Sequence, residues 1–191
     1  IEHPALPRAL DLSGVVPQRL SMVMAWIDGA PLPQWLEAHP EPELAMLRRY
    51  GDDLLDALDF LESRDLVHKD IKPDNLLLGP RGLTLIDFSL IGHEREAIAI
   101  GTPLYRDPSL LTWDAAADRY AAALCLFELF VWAHAFDGNV PPPDEPVALD
   151  DDEVQPTAMA AFLRTALAPD RAQRHGSLAE MRQAFRTGTT R

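Results

Sequence analysis

Residues 68–75 (HKDIKPDN) place two aspartates, two lysines and one asparagine within eight positions. A surface turn can hold such residues but does not require this order, whereas the order suits phosphoryl transfer. Asp70 can orient an attacking hydroxyl and accept its proton, and Lys72 can neutralise charge on the moving phosphoryl group. Asn75 can supply an oxygen ligand to Mg²⁺. The segment therefore predicts a site for phosphoryl transfer.

A second acidic candidate, Asp87, ends the apolar stretch 83–86 and precedes Phe88. The dipeptide Asp-Phe alone has no functional meaning, because it occurs often by chance. Its position is informative, since residues 76–78 and 83–86 predict a β-hairpin around the turn at 79–82. Paired strands would bring Asn75 and Asp87 to the same end of that hairpin. We therefore expect these two residues to form a Mg²⁺ site together with nucleotide phosphates.

The predicted helices and strands that position these residues lie on both sides of them. Residues 43–64 carry leucines at three- and four-residue steps, which predicts an amphipathic helix directly before the polar segment. Residues 115–134 are apolar on nearly every face, which predicts a central buried helix. Residues 157–167 and 177–185 predict closing helices, the second with Ser177 as N-cap and Glu180 completing a capping box.

The remaining segments predict strands and loops. Residues 6–12 and 19–27 predict two neighbouring strands, the first followed by a turn at Ser13-Gly14. Residues 141–153 (PPPDEPVALDDDE) are rich in proline and then in acids, which favours a solvated surface loop over a docking motif.

The composition favours one soluble domain of 191 residues in a reducing cytoplasm. A net charge of −13 argues against general binding to nucleic acid or to anionic membranes, which need clustered Lys and Arg. The single cysteine, Cys125, excludes an internal disulfide framework, and its apolar surroundings predict an inert buried thiol. The apolar run 121–136 is short for a membrane span and contains Glu128, so a buried helix is the better interpretation.

In the order of its motifs the chain resembles the eukaryotic-type protein serine/threonine kinases. Their catalytic-loop motif H-R-D-x-K-x-x-N is similar to residues 68–75, and their D-F-G motif is similar to residues 87–89 (DFS). Residues 101–105 (GTPLY) resemble the segment that positions the peptide substrate, and residues 107–109 (DPS) occupy the A-P-E position. Residues 118–120 (DRY) resemble the start of the central helix, and Arg174 resembles a late structural arginine. The match covers nearly the whole chain.

This resemblance implies a fold, a reaction and a set of site residues. The fold would be the mainly α large lobe of a protein kinase, a helical lobe with short β-hairpins. Asp70 would be the catalytic aspartate, and Thr102 would contact the catalytic loop. Lys72 with Thr102 would indicate serine/threonine rather than tyrosine substrates. Asn75 and Asp87 would bind Mg²⁺. ATP would contact Met24 at the gatekeeper position, backbone groups of Ala25 and Ile27, and Leu77 beneath the adenine ring.

The same resemblance assigns structural roles near the site. His68 and Phe88 would be buried, and Asp118 would hold the catalytic loop through backbone hydrogen bonds. Ser109 stands where the family has a glutamate that pairs with the late arginine, so Arg174 needs another partner, for which Asp107 is the candidate. Ser89 replaces a glycine, which reduces backbone freedom but leaves the metal-binding carboxylate in place. Lys69 replaces an arginine, and residues 90–101 contain no Ser, Thr or Tyr, which argues against activation by phosphorylation there.

The largest departure from the family is the absence of a Gly-rich loop, a strand lysine and its partner helix before Met22. We therefore expect residues 1–29 to be a remnant of the small lobe, residues 30–187 the large lobe and residues 188–191 a tail. The missing parts cover the nucleotide phosphates, so the isolated chain is expected to be inactive or slow. The remainder of the small lobe, or other domains of a parent protein, would be its partners besides the protein substrate.

Two alternatives stay open. A kinase-like binding module without catalysis is supported by Ser89, Ser109 and the absent small lobe. A small-molecule phosphotransferase of the aminoglycoside-kinase type shares an aspartate and a downstream asparagine, but usually lacks the lysine at Lys72 and the Gly-Thr-Pro segment. Assays of Mg²⁺-ATP binding and of phosphotransfer separate the first alternative from an active kinase.

Overall fold

The computed structural model describes residues 2–16, 19–92, 100–151 and 154–190, and the side chains of residues 12–22 lie outside that description. Five strands and five α-helices form in the described part of the chain. They are β1 (Ala9–Val16), β2 (Arg19–Met24), β3 (Ala30–Pro31), α1 (Leu32–Ala38), α2 (Leu44–Glu62), β4 (Leu76–Gly79), β5 (Gly82–Leu85), α3 (Ala115–Val131), α4 (Ala158–Ala166) and α5 (Leu178–Gly188). The prediction of a helical lobe with short β-hairpins is confirmed.

Helix α2 supplies one wall of the core. Its leucines at three- and four-residue spacing bury one stripe, including Leu54, Leu58 and Leu61, while acids and arginines cover the other side. The helix packs against β5, α3 and α5. Gly51 allows the close approach to α5, because a Cβ atom at this position would lie 2.1 Å from the ring of Phe185. Helix α2 ends directly before the polar segment and so fixes where that segment starts.

Helix α3 runs through the centre of the core. Its first turn is capped by Asp114, whose carboxylate accepts a hydrogen bond from the Ala117 N–H at 2.9 Å. Side chains on nearly every face are buried, which explains the continuous apolar sequence. Cys125 is among them as a free buried thiol, as expected, and burial raises its pKa. The helix ends at Trp132, which adopts a left-handed conformation with φ 66°.

The hairpin β4–β5 carries the candidate residues at one end. Leu76 pairs with Leu85 and Leu78 with Leu83, and β3 adds a third antiparallel strand through Ala30 and Leu78. The N–H of Ile86 donates to the carbonyl of Asn75 at 2.9 Å, which extends the pairing beyond the strands. The predicted hairpin is therefore confirmed, and it brings the Asn75 and Asp87 backbones close together.

The hairpin β1–β2 corrects one detail of the sequence interpretation. Strand β1 continues through Ser13-Gly14 to Val16, and no turn interrupts it there. The register of pairing with β2 shifts between Ser13 and Val16. Backbone pairing with β2 therefore overrides the local preference of Ser13-Gly14 for a turn. The two strands form a sheet of their own, separate from β3–β4–β5.

Three further segments differ in part from prediction. Ser177 caps α5 as expected, but the Glu180 carboxylate accepts from the N–H of Gly176 at 2.9 Å, so the reciprocal half of the capping box uses the preceding residue. Within 141–151, Val147 and Leu149 are buried, so this loop is only partly at the surface. Helix α1, which begins with a proline in its first turn and buries Leu32 and Trp35, was not predicted.

In the described part of the chain, no helix combines the length and the apolar character that crossing a membrane requires.

Candidate active site

Asp118 anchors the catalytic loop from beneath. Its carboxylate accepts hydrogen bonds from the His68 N–H at 2.6 Å and the Lys69 N–H at 3.0 Å. The side chain sits in the first turn of α3 and is almost completely buried, and this burial raises its pKa to about 7. The expected role of Asp118 is confirmed. Helix α3 therefore fixes the start of the loop through two bonds that span about fifty residues of sequence.

The carboxylate of Asp70 lies at the centre of a hydrogen-bond network. Its Oδ1 accepts from Thr102 twice, from the N–H at 2.9 Å and from the hydroxyl at 2.7 Å. The Lys72 ammonium lies 3.1 Å from Oδ2, and the Asn75 amide nitrogen donates to the same oxygen at 3.3 Å. Burial alone would raise the pKa of Asp70, but the bonds from Thr102 and Lys72 outweigh it and lower the pKa. Asp70 is thus held ionised and oriented.

Lys72 contacts both Thr102 and Asp70 in this network. Its Nζ donates to the Thr102 hydroxyl at 3.1 Å and also lies beside Asp70. The expected contact of Thr102 with the catalytic loop is confirmed by these bonds. Asn75 donates a second bond to the Asp70 carbonyl at 2.8 Å, so the four residues predicted to be catalytic form one connected group.

Gly101 allows the substrate-positioning segment to meet the loop. Its φ is +83°, a conformation that glycine adopts without strain. A Cβ atom there would lie 2.4 Å from the Lys69 carbonyl oxygen and 3.1 Å from the Trp113 ring. The residue is therefore required both by its backbone angle and by the close packing that places Thr102 on Asp70.

His68 and Phe88 pack as the sequence suggests, with one difference in burial. His68 is fully buried, and its Nε2 lies 3.1 Å from the Ile86 carbonyl. Burial lowers its pKa to about 4, so the ring is neutral near pH 7 and is a packing group rather than a base. Phe88 contacts the imidazole edge to face with ring centroids 5.0 Å apart, but it is half-buried rather than buried.

Asn75 and Asp87 have the chemistry of Mg²⁺ ligands. The amide nitrogen of Asn75 is turned to Asp70, which leaves its side-chain oxygen without a partner among the described residues. Asp87 is exposed at φ 64°, and its Oδ1 accepts only a 3.3 Å bond from Ser89 N–H within the described residues. No group of three or more His, Cys, Asp or Glu that could hold a metal occurs in the described part. The amide oxygen of Asn75 and the carboxylate of Asp87 are donor types that Mg²⁺ accepts when phosphates supply its other ligands.

Three of the four residues expected to contact adenine, Met24, Ala25 and Ile27, lie at or just after the end of β2. Met24 is 40% exposed, and Ala25 and Ile27 are half-buried. The Ala25 N–H donates a hydrogen bond to the Arg8 carbonyl at 2.9 Å. Leu77 lies on β4 opposite Thr84. A cavity of about 430 Å³ is lined by Ala25 and Ile27, but its described lining does not include Met24, Leu77 or Asp87. This cavity therefore includes two of the four residues expected to contact adenine.

Arg174 pairs with Asp107, as proposed from the sequence. The guanidinium donates to both carboxylate oxygens, at 2.6 and 3.1 Å, and lies 4.3 Å above the Tyr120 ring. Ser109 adds bonds to Asp107 from its N–H at 2.9 Å and its hydroxyl at 2.7 Å. Burial would raise the pKa of Asp107, but Arg174 and Ser109 lower it. The serine that replaces glutamate thus supports the alternative partner.

Two features near the site were not predicted from the sequence, and part of one predicted stretch lies outside the described residues. The Tyr105 hydroxyl donates to Glu128 of α3 at 2.8 Å, and burial raises the pKa of Glu128 to about 7. A glutamate within an otherwise apolar helix was the available signal for this contact. Lys69 is 99% buried, which its position in a polar segment did not suggest. Residues 93–99, which include most of the stretch lacking Ser, Thr and Tyr, lie outside the described residues.

The motif order and the network around Asp70 agree with a comparison to known protein families. The model of the protein kinase domain matches residues 2–184 of the chain. The chain belongs to the protein kinase family.

Similar kinases come from bacteria, plants and yeast. A probable kinase PglW of Streptomyces coelicolor is 35% identical over 175 residues, covering 79% of this chain and 11% of that protein. The serine/threonine-protein kinase ATG1a of Arabidopsis thaliana is 29% identical over 150 residues, covering 73% of this chain and 24% of that protein. The serine/threonine-protein kinase YPK1 of Saccharomyces cerevisiae is 33% identical over 135 residues, covering 65% of this chain and 20% of that protein. The chain therefore spans a quarter or less of the length of these relatives.

Proposed function

We propose that this protein kinase domain transfers the γ-phosphoryl group of ATP to serine or threonine hydroxyls of a protein substrate. The observation that carries the proposal is the network in which Thr102, Lys72 and Asn75 all bind the Asp70 carboxylate. A surface loop without a function does not require a carboxylate that is held by three different side chains. A general base does require such positioning, because it must meet the substrate hydroxyl in one orientation.

Asp70 would orient the substrate hydroxyl and accept its proton. Two bonds from Thr102 to Oδ1 leave Oδ2 as the oxygen that faces Lys72 and Asn75. The lowered pKa keeps the carboxylate ionised near pH 7, so that it can accept a hydrogen bond from the incoming hydroxyl. Lys72, 3.1 Å from Asp70, would neutralise charge on the phosphoryl group as it moves.

Asn75 and Asp87 would hold Mg²⁺, which supplies charge neutralisation on the phosphates when it is bound. Asn75 is fixed by its bonds to Asp70, and its free side-chain oxygen is the group suited to a hard cation. Met24, Ala25, Ile27 and Leu77 would contact the adenine of ATP.

The serine/threonine specificity rests on Thr102 and Lys72. The two side chains are hydrogen-bonded at 3.1 Å, so the substrate-positioning segment and the catalytic loop act as one unit. The names of the plant and yeast relatives, which are serine/threonine-protein kinases, support the same specificity.

The proposed division of the chain places residues 1–29 with a small lobe, residues 30–187 in the large lobe and residues 188–191 in a tail. The separate two-stranded sheet β1–β2 supports this division, because two strands are marginally stable without further partners. We propose that the isolated chain transfers phosphate slowly or not at all, and that other parts of a longer cytoplasmic protein complete the nucleotide site.

A phosphotransfer assay with labelled ATP and Mg²⁺ tests the proposal. It compares the 191-residue chain with a form that includes the residues encoded upstream, and uses Asp70→Asn in the longer form as the catalytic variant. Asp56→Asn, at a partly exposed carboxylate of α2 that pairs with Arg182 of α5, is the matched control. We expect activity in the longer form that Asp70→Asn abolishes and Asp56→Asn leaves unchanged. Strong activity of the 191-residue chain would contradict the proposed need for further parts, and activity retained by Asp70→Asn would contradict the assigned base.

A binding module without catalysis is the second candidate, and it is favoured by Ser89. This serine follows Asp87 and Phe88 where the family has glycine, and its N–H binds the Asp87 carboxylate that should face the metal. The two candidates differ in the longer form. A binding module would show an ATP-dependent thermal shift at most and no phosphotransfer, and restoring glycine with Ser89→Gly would not create activity.

A further inference from the structure

A small pocket next to Arg174 is lined by several arginines, although the chain as a whole is acidic. Its volume is about 150 Å³, and it lies between the start of α3, the end of α4 and the turn that leads to α5. Three arginines, Arg119, Arg171 and Arg174, line it, and the described lining contains no carboxylate. The chain as a whole carries a net charge of −13, yet the described side chains that line this pocket include three guanidinium groups.

Each of the three guanidinium groups is held in place by a carboxylate behind it. Arg119 binds Glu62 of α2 at 2.9 Å, and Arg171 binds Asp114, the N-cap of α3. Arg174 binds Asp107, as described above. The arginines are therefore positioned by ion pairs before any ligand arrives, so that little side-chain freedom is left to lose on binding.

Many donors of these groups remain unused. Arg119 binds Glu62 through one terminal nitrogen, and Arg171 binds Asp114 through one. Their Nε and second terminal nitrogens donate to no described residue. Tyr120, which also lines the pocket and is 98% buried, has a hydroxyl without a hydrogen-bond partner among the described residues. The pocket thus offers an excess of N–H and O–H donors and no acceptor side chain of opposite charge.

We propose that this pocket binds one tetrahedral oxyanion of the phosphate class. Guanidinium groups match phosphate oxygens in geometry and charge, and hydrogen bonds between ions are among the stronger ones in proteins. The volume accommodates a single phosphate group and is too small for a nucleotide. The ion could be free phosphate or the phosphate of a phosphorylated side chain, and the chemistry of recognition is the same. This site is distinct from the Asp70 network and does not depend on the proposed kinase reaction.

Calorimetric titration of the full chain with inorganic phosphate at constant ionic strength tests the proposal, with chloride as the reference ion. A second titration uses a phosphoserine peptide and its unphosphorylated counterpart, which distinguishes the two sources of phosphate. Arg171→Gln removes one guanidinium, and Tyr120→Phe removes only the free hydroxyl while keeping the ring beneath Arg174. Arg182→Gln is the matched control, since Arg182 pairs with Asp56 and Asp59 outside the pocket.

We expect saturable binding of phosphate, of the phosphopeptide or of both. Arg171→Gln should weaken it roughly tenfold or more and Tyr120→Phe several-fold, because each removes a donor to an ion. Arg182→Gln should leave it unchanged. Circular dichroism confirms that each variant is folded, and Tyr120→Phe keeps the test valid if Arg171→Gln does not fold. No saturable binding with either probe, an adventitious response equal to that of chloride, or equal affinities in all variants would each overturn the proposal.

Discussion

Arg174→Gln removes the cation that holds Asp107 inside the protein. The Asp107 side chain is fully inaccessible and that of Arg174 is 7% exposed, so no water replaces the lost partner without rearrangement. Glutamine can return one neutral hydrogen bond in place of two ionic ones. It also gives up the bonds from Arg174 to the carbonyls of Ala168 at 2.7 Å and Pro169 at 3.3 Å.

The expected loss in the free energy of unfolding depends on the Asp107 carboxylate, which remains buried without its cation. Breaking a buried ion pair by removing one partner typically costs about 3–5 kcal/mol, because the remaining charge is left without compensation. Ser109 still donates two bonds to Asp107, which places the expected cost near the lower end, at roughly 3 kcal/mol. That is a large share of the ~5–15 kcal/mol by which a domain is typically stable.

Urea unfolding followed by circular dichroism measures this loss, and its pH dependence tests the cause. In the parent protein the pKa of Asp107 is lowered on folding, so its contribution to stability is present above the unfolded pKa and is lost as pH falls through the folded pKa. In the variant, burial without the cation raises the pKa of Asp107 above its unfolded value. The stability deficit of the variant should therefore shrink as the pH is lowered from 7 towards about 4.

Arg182→Gln provides the comparison, since it breaks ion pairs with the partly exposed Asp56 and Asp59 and should cost about 0–1 kcal/mol. Two results would refute the reasoning. One is a loss for Arg174→Gln no larger than that for Arg182→Gln. The other is a large loss that does not change with pH, which would assign the cost to packing on Tyr120 rather than to the charge of Asp107.

Three further predictions concern the loop and the buried acids. Gly101→Ala should lower the thermal unfolding midpoint and abolish phosphotransfer by the longer form, because the added Cβ meets the Lys69 carbonyl; a stable, active variant would contradict this. Thr102→Ser should keep most of that activity and Thr102→Ala should reduce kcat about tenfold or more, because only serine retains the hydroxyl bond to Asp70. Burial raises the pKa of Glu128 from 4.5 to about 7, so the folded state holds the extra proton and stability should fall as pH rises through that window. Glu128→Gln should flatten this part of the urea-unfolding profile, and equal slopes would argue against a buried, titrating Glu128.

The sequence predicted most of the catalytic loop, because its chemistry lies in consecutive residues. Asp70, Lys72 and Asn75 are five positions apart at most, and the hairpin that follows has a clear strand-turn-strand pattern. Their contact with Thr102, about thirty residues away, was predicted only through resemblance to a family. Nothing in the local pattern around Thr102 shows which part of the chain it will meet.

Other features could not be predicted because they depend on long-range contacts. Strand β1 runs through Ser13-Gly14, since pairing with β2 offsets the local preference for a turn. Val147 and Leu149 are buried within a proline-rich acidic segment because the core offers space for them, which composition does not show. The three arginines around the small pocket lie on α3 and on the turn before α5, and the carboxylates that bind them include Glu62 of α2 and Asp107, so only the folded structure shows their convergence.

The two hydrogen bonds that Asp118 accepts should make the start of the catalytic loop as resistant to local opening as α3, the helix that carries Asp118. The amides of His68 and Lys69 belong to an irregular segment, yet their hydrogens are bound to a carboxylate buried in α3. Opening them to solvent requires α3 to separate from the loop. Their hydrogen exchange should therefore be slow, at the rate of the central helix rather than of neighbouring loops. The backbone that leads into Asp70, the proposed base, would then stay in position without a bound ligand.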